Sequence, residues 1–297
     1  RELGDRQGIA DSLNNLGLVA WHRSDYGRAT AAHEEALALR RQLGDKRGIA
    51  SSLGNLAIVT WHQGDYERAR ALYTESLALF RELEDKQNVA LSLNNLAVIA
   101  VDQGEYEQAA TLLEESLALF QELGFKQGIA WSLGNLGQVA RGLKEYDRAA
   151  SLYGKSLALL RELGDRQAMA STIVNIGHVA LAQGDHERAA ALYQEALTIQ
   201  WELRERRDMA ECLEALAAVA DEQGQVERAA RLFGAAEALR EEVGAPLPPA
   251  DRARYEQHVA AVRAELDEDT FESTWAQGRA MPLEQAVAYA LDERLVP

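Results

Sequence analysis

Arg41-Gln42-Leu43-Gly44-Asp45-Lys46-Arg47-Gly48-Ile49-Ala50 restates Arg1-Glu2-Leu3-Gly4-Asp5-Arg6-Gln7-Gly8-Ile9-Ala10, and the phrase returns as Arg161-Glu162-Leu163-Gly164-Asp165. Weaker copies begin at Arg81, Gln121 and Trp201, so the chain repeats with a period of 40 residues. A fixed period of this size marks a solenoid, in which each unit buries its apolar face only against its neighbours. Such arrays present an extended surface to a partner.

Within one period the residues dictate two helices. Asp45 is placed to cap a helix whose apolar positions are Ile49, Leu53, Leu56 and Thr60, spaced three and four apart. Gly64 supplies a positive φ just past its end, and Asp65 caps a second helix carrying Tyr66, Ala69, Tyr73, Leu77 and Phe80. Leu83-Glu84-Asp85 then restarts the cycle. Each apolar stripe is too narrow to hold alone, so units must stack. Small residues recur where the axes should approach: Gly17, Ala57, Ala97, Gly137, Gly177 and Ala217 in the first helices, Ala29, Ala69, Ala109, Ala149, Ala189 and Ala229 in the second. Tyr26, Tyr66, Tyr106 and Tyr146 are expected in the core as their large partners.

Composition agrees with this and narrows the chemistry. Of 297 residues 47% are apolar but only 6% aromatic, which suits closely packed helices rich in Ala and Leu. The net charge of −16 argues against a nucleic-acid partner, because phosphate binding rests on Lys and Arg. The single Cys212 excludes an intramolecular disulfide, and no apolar run is long enough for a membrane span, so a cytoplasmic setting without a membrane partner is expected. Arg1 falls inside a repeat phrase, which reads as a piece of a longer protein. Gly154-Lys155-Ser156 mimics a phosphate loop but has Ala149 in place of the required first Gly. His22 and His62 share a repeat position without Cys or carboxylate partners at a ligand spacing. No nucleophile with a base can be named, so neither an enzyme, a metal site nor a cofactor is expected.

The residues Leu53, Leu56, Ala57, then Gly64, Asp65, Tyr66, Ala69, then Tyr73, Ser76, Leu77 resemble the tetratricopeptide repeat (TPR). The 40-residue unit is longer than the usual one and resembles the repeats of kinesin light chain and of bacterial regulators. The resemblance implies an all-α, right-handed superhelical solenoid of helix-turn-helix units whose first helices line a concave groove. Six full units and the end of a preceding one are expected over residues 1–244, then a Pro-rich boundary at 245–250 and capping helices over 251–297. Asp251 is expected to cap a helix to about Asp267, followed by a short piece around Phe271 and Trp275 and a last helix from Met281-Pro282-Leu283-Glu284.

One polar column interrupts the packing pattern. Asn15, Asn55, Asn95, Asn135 and Asn175 recur with the full period, although Asn in mid-helix is worse than Ala by roughly 0.6 kcal/mol. A carboxamide both donates and accepts, so such a column suits a peptide backbone of any sequence. It resembles the asparagine ladders that hold extended peptides in other TPR superhelices. The alternative is that each Asn fixes the geometry between units. Trp21 and Trp61, then Trp131, Gln138, Arg141 and His178, complete the expected peptide-binding wall, and Glu211, Glu214, Asp221 and Glu222 turn its far end acidic.

Phe233-Gly234-Ala235-Ala236-Glu237, Pro246-Leu247-Pro248-Pro249, Tyr255 and Trp275-Ala276-Gln277-Gly278-Arg279-Ala280-Met281 resemble the C-terminal ends of large bacterial regulators carrying a STAND-type ATPase switch. That resemblance implies a sensor arm that binds a protein or extended peptide, with the ATPase domain of the same full-length protein as a second partner. A scaffold for self-association or autoinhibition, and the non-catalytic arm of a signalling enzyme, are the other readings.

Overall fold

The computed structural model describes residues 3–23, 25–244, 247 and 249–292. Those residues are all helical or in short turns, and the chain packs as two compact units, Arg1–Leu143 and Lys144–Pro297. The first unit holds α1 (Leu3–His22), α2 (Tyr26–Leu43), α3 (Lys46–His62), α4 (Tyr66–Glu82), α5 (Lys86–Asp102), α6 (Tyr106–Glu122) and α7 (Lys126–Gly142). The second holds α8 (Tyr146–Leu163), α9 (Arg166–Ala182), α10 (His186–Leu203), α11 (Arg206–Glu222), α12 (Val226–Val243), α13 (Pro249–Glu265), α14 (Glu268–Arg279) and α15 (Leu283–Ala290). Within each unit the sequence-adjacent repeat helices pack on one another, α1 to α7 in the first and α8 to α12 in the second, as the 40-residue period requires.

The helix starts follow from capping chemistry. Asp45 accepts from the Gly48 N–H at 2.9 Å, and Asp65 from Arg68 at 3.2 Å; Asp85, Asp165 and Asp185 do the same for their helices. Gly64 takes φ 83° in the turn, as its position predicts. Where the repeat lacks glycine, Glu84, Lys144 and Arg204 are held at φ 54°, 61° and 60°, a conformation that strains an L side chain.

Packing between paired helices uses the small columns. The six second-helix alanines from Ala29 to Ala229 are fully buried. A Cβ on Gly17 would stand 2.6 Å from the His33 ring, and one on Gly177 2.5 Å from Tyr193, so glycine there makes room for a neighbouring ring. Ser76 and Ser116 tie second helix to first by donating to the Ala50 and Ala90 carbonyls, each at 2.8 Å. Along the edge, Arg41 reaches Glu75 and Lys46 reaches Glu82 one unit on, at 2.8 and 2.9 Å. These pairs are half exposed, so each contributes at most about 1 kcal/mol. The Tyr column is half-buried, with the Tyr106 ring filling the space beside Gly142.

The C-terminal helices depart from expectation at one point. Helix α13 starts at Pro249, not at Asp251, which lies in its first turn. Proline suits a first helical position because the N–H it lacks would have no partner there. Ala245, Pro246 and Pro248 of the expected boundary lie outside the described residues, as do Arg1 and Glu2. Asp267 caps α14 through the Thr270 N–H at 2.9 Å, and Pro282 precedes α15. Phe271, Val262, Ala286 and Val287 are buried against the core of α11 and α12, with Trp275 and Met281 packed beside them. The tail covers the last repeat.

Helix α14 crosses α12 at glycine on both sides. A Cβ on Gly234 would lie 2.4 Å from the Trp275 carbonyl oxygen, and one on Gly278 2.1 Å from that of Arg231. Around this crossing Trp275 Nε1 donates to Glu237 Oε2 at 2.9 Å, Arg279 pairs with Glu237 and Glu241, and Phe233 meets Tyr255 edge-on at 5.5 Å. Two of the C-terminal segments singled out in the sequence, those around Gly234 and Gly278, are therefore the two sides of one helix contact.

Candidate functional site

The first helices α1, α3, α5 and α7 carry the asparagine column in the first unit. Asn15 is exposed, whereas Asn55, Asn95 and Asn135 are half-buried. Their hydrogen bonds alternate. Asn55 Nδ2 donates to Asn14 Oδ1 at 2.8 Å, and Asn135 Nδ2 donates to Asn94 Oδ1 at 2.5 Å, each bond crossing from one unit to the unit before it. Asn94 is itself buried and donates to Ser132 Oγ at 3.4 Å. The position matching Asn14 and Asn94 in the intervening unit is Gly54, and Asn95 makes no side-chain hydrogen bond among the described residues. In the second unit Asn175 turns back to the Ser171 carbonyl of its own helix at 3.1 Å.

Sequence reading missed Asn14 and Asn94. The signal was present as an alternation, Ser12-Leu13-Asn14-Asn15 and Ser92-Leu93-Asn94-Asn95 against Ser52-Leu53-Gly54-Asn55 and Ser132-Leu133-Gly134-Asn135. Over the first unit Asn-Asn and Gly-Asn repeats alternate, and the alternation ends at Val174-Asn175.

The aromatic residues gather at the ends of α1 and α3. His62 stacks on Tyr26 with centroids 5.8 Å apart and planes 9° apart. It lies 5.7 Å from the Trp21 ring and 4.5 Å from that of Trp61. Trp61 also donates through Nε1 to Asp102 Oδ2 at 2.6 Å, linking α3 to α5. Both tryptophans are half-buried, each keeping part of its ring at the surface. Trp131 meets Phe125 edge-on at 6.2 Å. Gln138 and Arg141 lie half-buried on α7, and the covered Nε of Arg141 finds no acceptor among the described residues.

His178, in the second unit, bonds through Nδ1 to the Tyr193 hydroxyl at 2.8 Å. The acidic end is partly neutralised from within. Glu214 is held by Arg240 in a bidentate pair, with the Nη2 bond at 2.8 Å. Asp221 lies 4.0 Å from His258 Nδ1, and burial, then the charge of Glu265, pushes its carboxyl above the usual range. Among the described residues no group of three His, Cys, Asp or Glu is placed to hold a metal ion, and no helix is long and apolar enough to cross a membrane.

The comparisons with known proteins agree with this architecture. The crystal structure of a Rap protein complexed with competence and sporulation factor superposes with a TM-score of 0.66 over 90% of this chain and 76% of that one, at 16% identity. BtubC from P. vanneervenii gives 0.59 over 75% and 94%, at 24% identity. Nearly identical TPR-like repeats assigned to a kinesin light chain of Podosopora anserina give 0.52 over 67% and 97%, at 16% identity. Likeness at these identities establishes the fold alone. No curated protein matches the sequence. A family model described as tetratricopeptide repeat matches residues 8–82, 88–162 and 168–242, windows that each span two units. On that match, which covers most of the sequence, the chain belongs to the tetratricopeptide repeat family.

Proposed function

We propose that this array is the binding arm of a larger bacterial signalling regulator, and that it holds an extended protein or peptide segment along the face lined by its first helices. The observation that carries this reading is the mixture on that face in the first unit. Half-buried Trp21 and Trp61 offer apolar ring surface, Asn15 and Asn95 offer carboxamides with no partner among the described residues, and Arg141 offers a guanidinium without an ion pair there. A half-buried arginine without a carboxylate is costly to maintain, and an acidic group on the bound segment would relieve it. The Rap protein, of similar fold, was crystallised with competence and sporulation factor, which supports the use of such arrays to hold a partner.

The regulatory context is inferred from the C-terminal motifs. The Gly234–Gly278 crossing accounts for two of them as packing and leaves their association with ATPase switches as part of the proposal. The action is binding, with no chemistry assigned to the chain.

A random-peptide display library selected on the immobilised chain tests this. Recovered peptides should bind the wild type and lose at least about tenfold in affinity to a Trp21→Ala, Arg141→Gln variant that melts like the wild type. Equal binding by that variant, or a library that yields no binder, would contradict the reading.

A further inference from the structure

Helix α1 keeps open a face that the matching helices bury. Leu16 and Val19 are 61% and 51% exposed, whereas their repeat equivalents Leu56, Leu96 and Leu136, and Val59, Ile99 and Val139, are buried. Ser12 is exposed as well, where Ser52, Ser92 and Ser132 are buried. On α3 and α5 the cover comes from the second helix that precedes each in the chain. Leu37 of α2 packs with Leu53 and Leu56 of α3, and Leu77 and Phe80 of α4 pack with Leu93, Leu96 and Ile99 of α5. Arg40, near the end of α2, adds polar contacts by donating to the Gly48 carbonyl at 3.1 Å and to Ser52 Oγ at 2.8 Å.

The same helix carries a second irregularity. Leu43-Gly44-Asp45 and Leu163-Gly164-Asp165 each break the helix they follow, with Gly44 and Gly164 at φ 68° and 69°. The Asp45 N–H reaches back to the Arg40 carbonyl at 3.1 Å, and the Asp45 side chain caps α3. Leu3-Gly4-Asp5 is the same phrase, yet it runs as α-helix, so α1 spans Leu3–His22 while α3 and α5 begin just after their capping aspartates. Identical residues cannot account for two conformations. The turn requires a second helix ahead of it, whose last carbonyls accept the N–H groups of the phrase.

We propose that the open face of α1 seats one more second helix of the same polypeptide, and that its docking turns Leu3-Gly4-Asp5 from helix into the capped turn seen at Leu43-Gly44-Asp45. The occupant has the chemistry of α2 and α4, with an apolar residue at the place of Leu37 and Leu77 against Leu16 and Val19, and a residue at the place of Arg40 and Phe80 over Ser12. Two large apolar side chains on one helix fall short of the roughly 800 Å² per partner that separate molecules bury in a stable association. A helix tethered through the turn phrase docks instead at an effective concentration in about the millimolar range. That difference selects a covalently joined helix over a second copy of the chain. Gly4 is a poor helix former and adopts the left-handed conformation readily, so the change of backbone costs little. This contact stands apart from peptide binding by the first helices.

The test compares the chain with a variant in which a copy of Asp65–Phe80 is joined ahead of Arg1, in the register of Phe80-Arg81. Thermal melts and the backbone chemical shifts of Gly4 and Asp5 are measured for both, and again with Leu16→Glu and Val19→Glu together. The extended chain should melt at least about 3 °C higher, and Gly4 and Asp5 should leave helical shifts. The double substitution should remove that gain from the extended chain and move the melt of the original by less than about 1 °C, because both side chains lie at its surface. An extended chain that melts like the original overturns the proposal. So does a gain that survives the double substitution, or one that leaves Gly4 and Asp5 helical. Sedimentation of the original chain tests the rival occupant: a dimer that the double substitution dissolves assigns the face to a second copy and overturns the proposal as well.

Discussion

His33 fills the place in its repeat that Tyr73, Tyr153 and Tyr193 fill in others, and it is buried with 1% exposure against Gly17. Burial, and then the charge of Arg40, lower its pKa to about 4 from the usual 6.5. The folded-state value lies below the unfolded one, so between these limits the unfolded chain takes up the proton first. Stability contributed by the neutral ring is therefore complete above pH 6.5, falls as the pH drops towards 4, and levels off below that. A shift of this size corresponds to roughly 3 kcal/mol. His33→Leu copies Leu113, which sits in the repeat that shares the Asn-Asn pair. Denaturant melts at pH 7 and pH 4.5 should show the wild type losing more stability on acidification than the variant, and equal losses would contradict the assignment. Nothing in the sequence marks His33 as buried except its column, because a lone histidine carries no periodic signal of its own.

At the scale of the element, the turns and the C-terminal crossing carry the constraints. Glu84 and Arg204 occupy left-handed positions where Gly44, Gly124 and Gly164 stand in other units. Replacing either with glycine relieves strain of about 1 kcal/mol or more against an entropy cost near 0.5–1 kcal/mol. Small gains in melting temperature are expected for Glu84→Gly and Arg204→Gly, and their sum for the double variant. The α12–α14 crossing predicts the opposite sign. A side chain at Gly278 would press into the Arg231 carbonyl at 2.1 Å, so Gly278→Val should detach α14 and cost on the order of 2–4 kcal/mol. Limited proteolysis should then cut near α14 in the variant and spare it in the wild type. Helix order and the Asp caps were legible because the chain prints them several times over. The asparagine pairing was not, since it joins column position n of one unit to position n−1 of the unit before. That offset belongs to the register between two helices, which the spacing within either helix does not contain. The start of α13 shows a smaller form of the same limit: an Asp and a nearby Pro both mark a helix N-terminus, and the structure begins at the proline.

At the scale of the molecule, the alternation of asparagine pairs in the first unit bears on the proposed binding face. In the first unit repeats with Asn-Asn alternate with repeats with Gly-Asn, so the α1–α3 and α5–α7 contacts carry an asparagine pair while α3 and α5 are joined through Trp61 and Asp102. A segment lying across these helices would meet apolar rings at Trp21 and Trp61, amide groups at Asn15 and Asn95, and the Arg141 cation. The strongly acidic chain suits a soluble exposed array, and it does not by itself select the ligand. The most direct test is side-chain carboxamide NMR of the assigned asparagines during titration with a peptide recovered by display. The account predicts that the Asn15 and Asn95 resonances shift while those of Asn55 and Asn135, held by Asn14 and Asn94, stay close to their free positions. Saturating peptide that leaves Asn95 unmoved and perturbs residues of the second helices instead would contradict it.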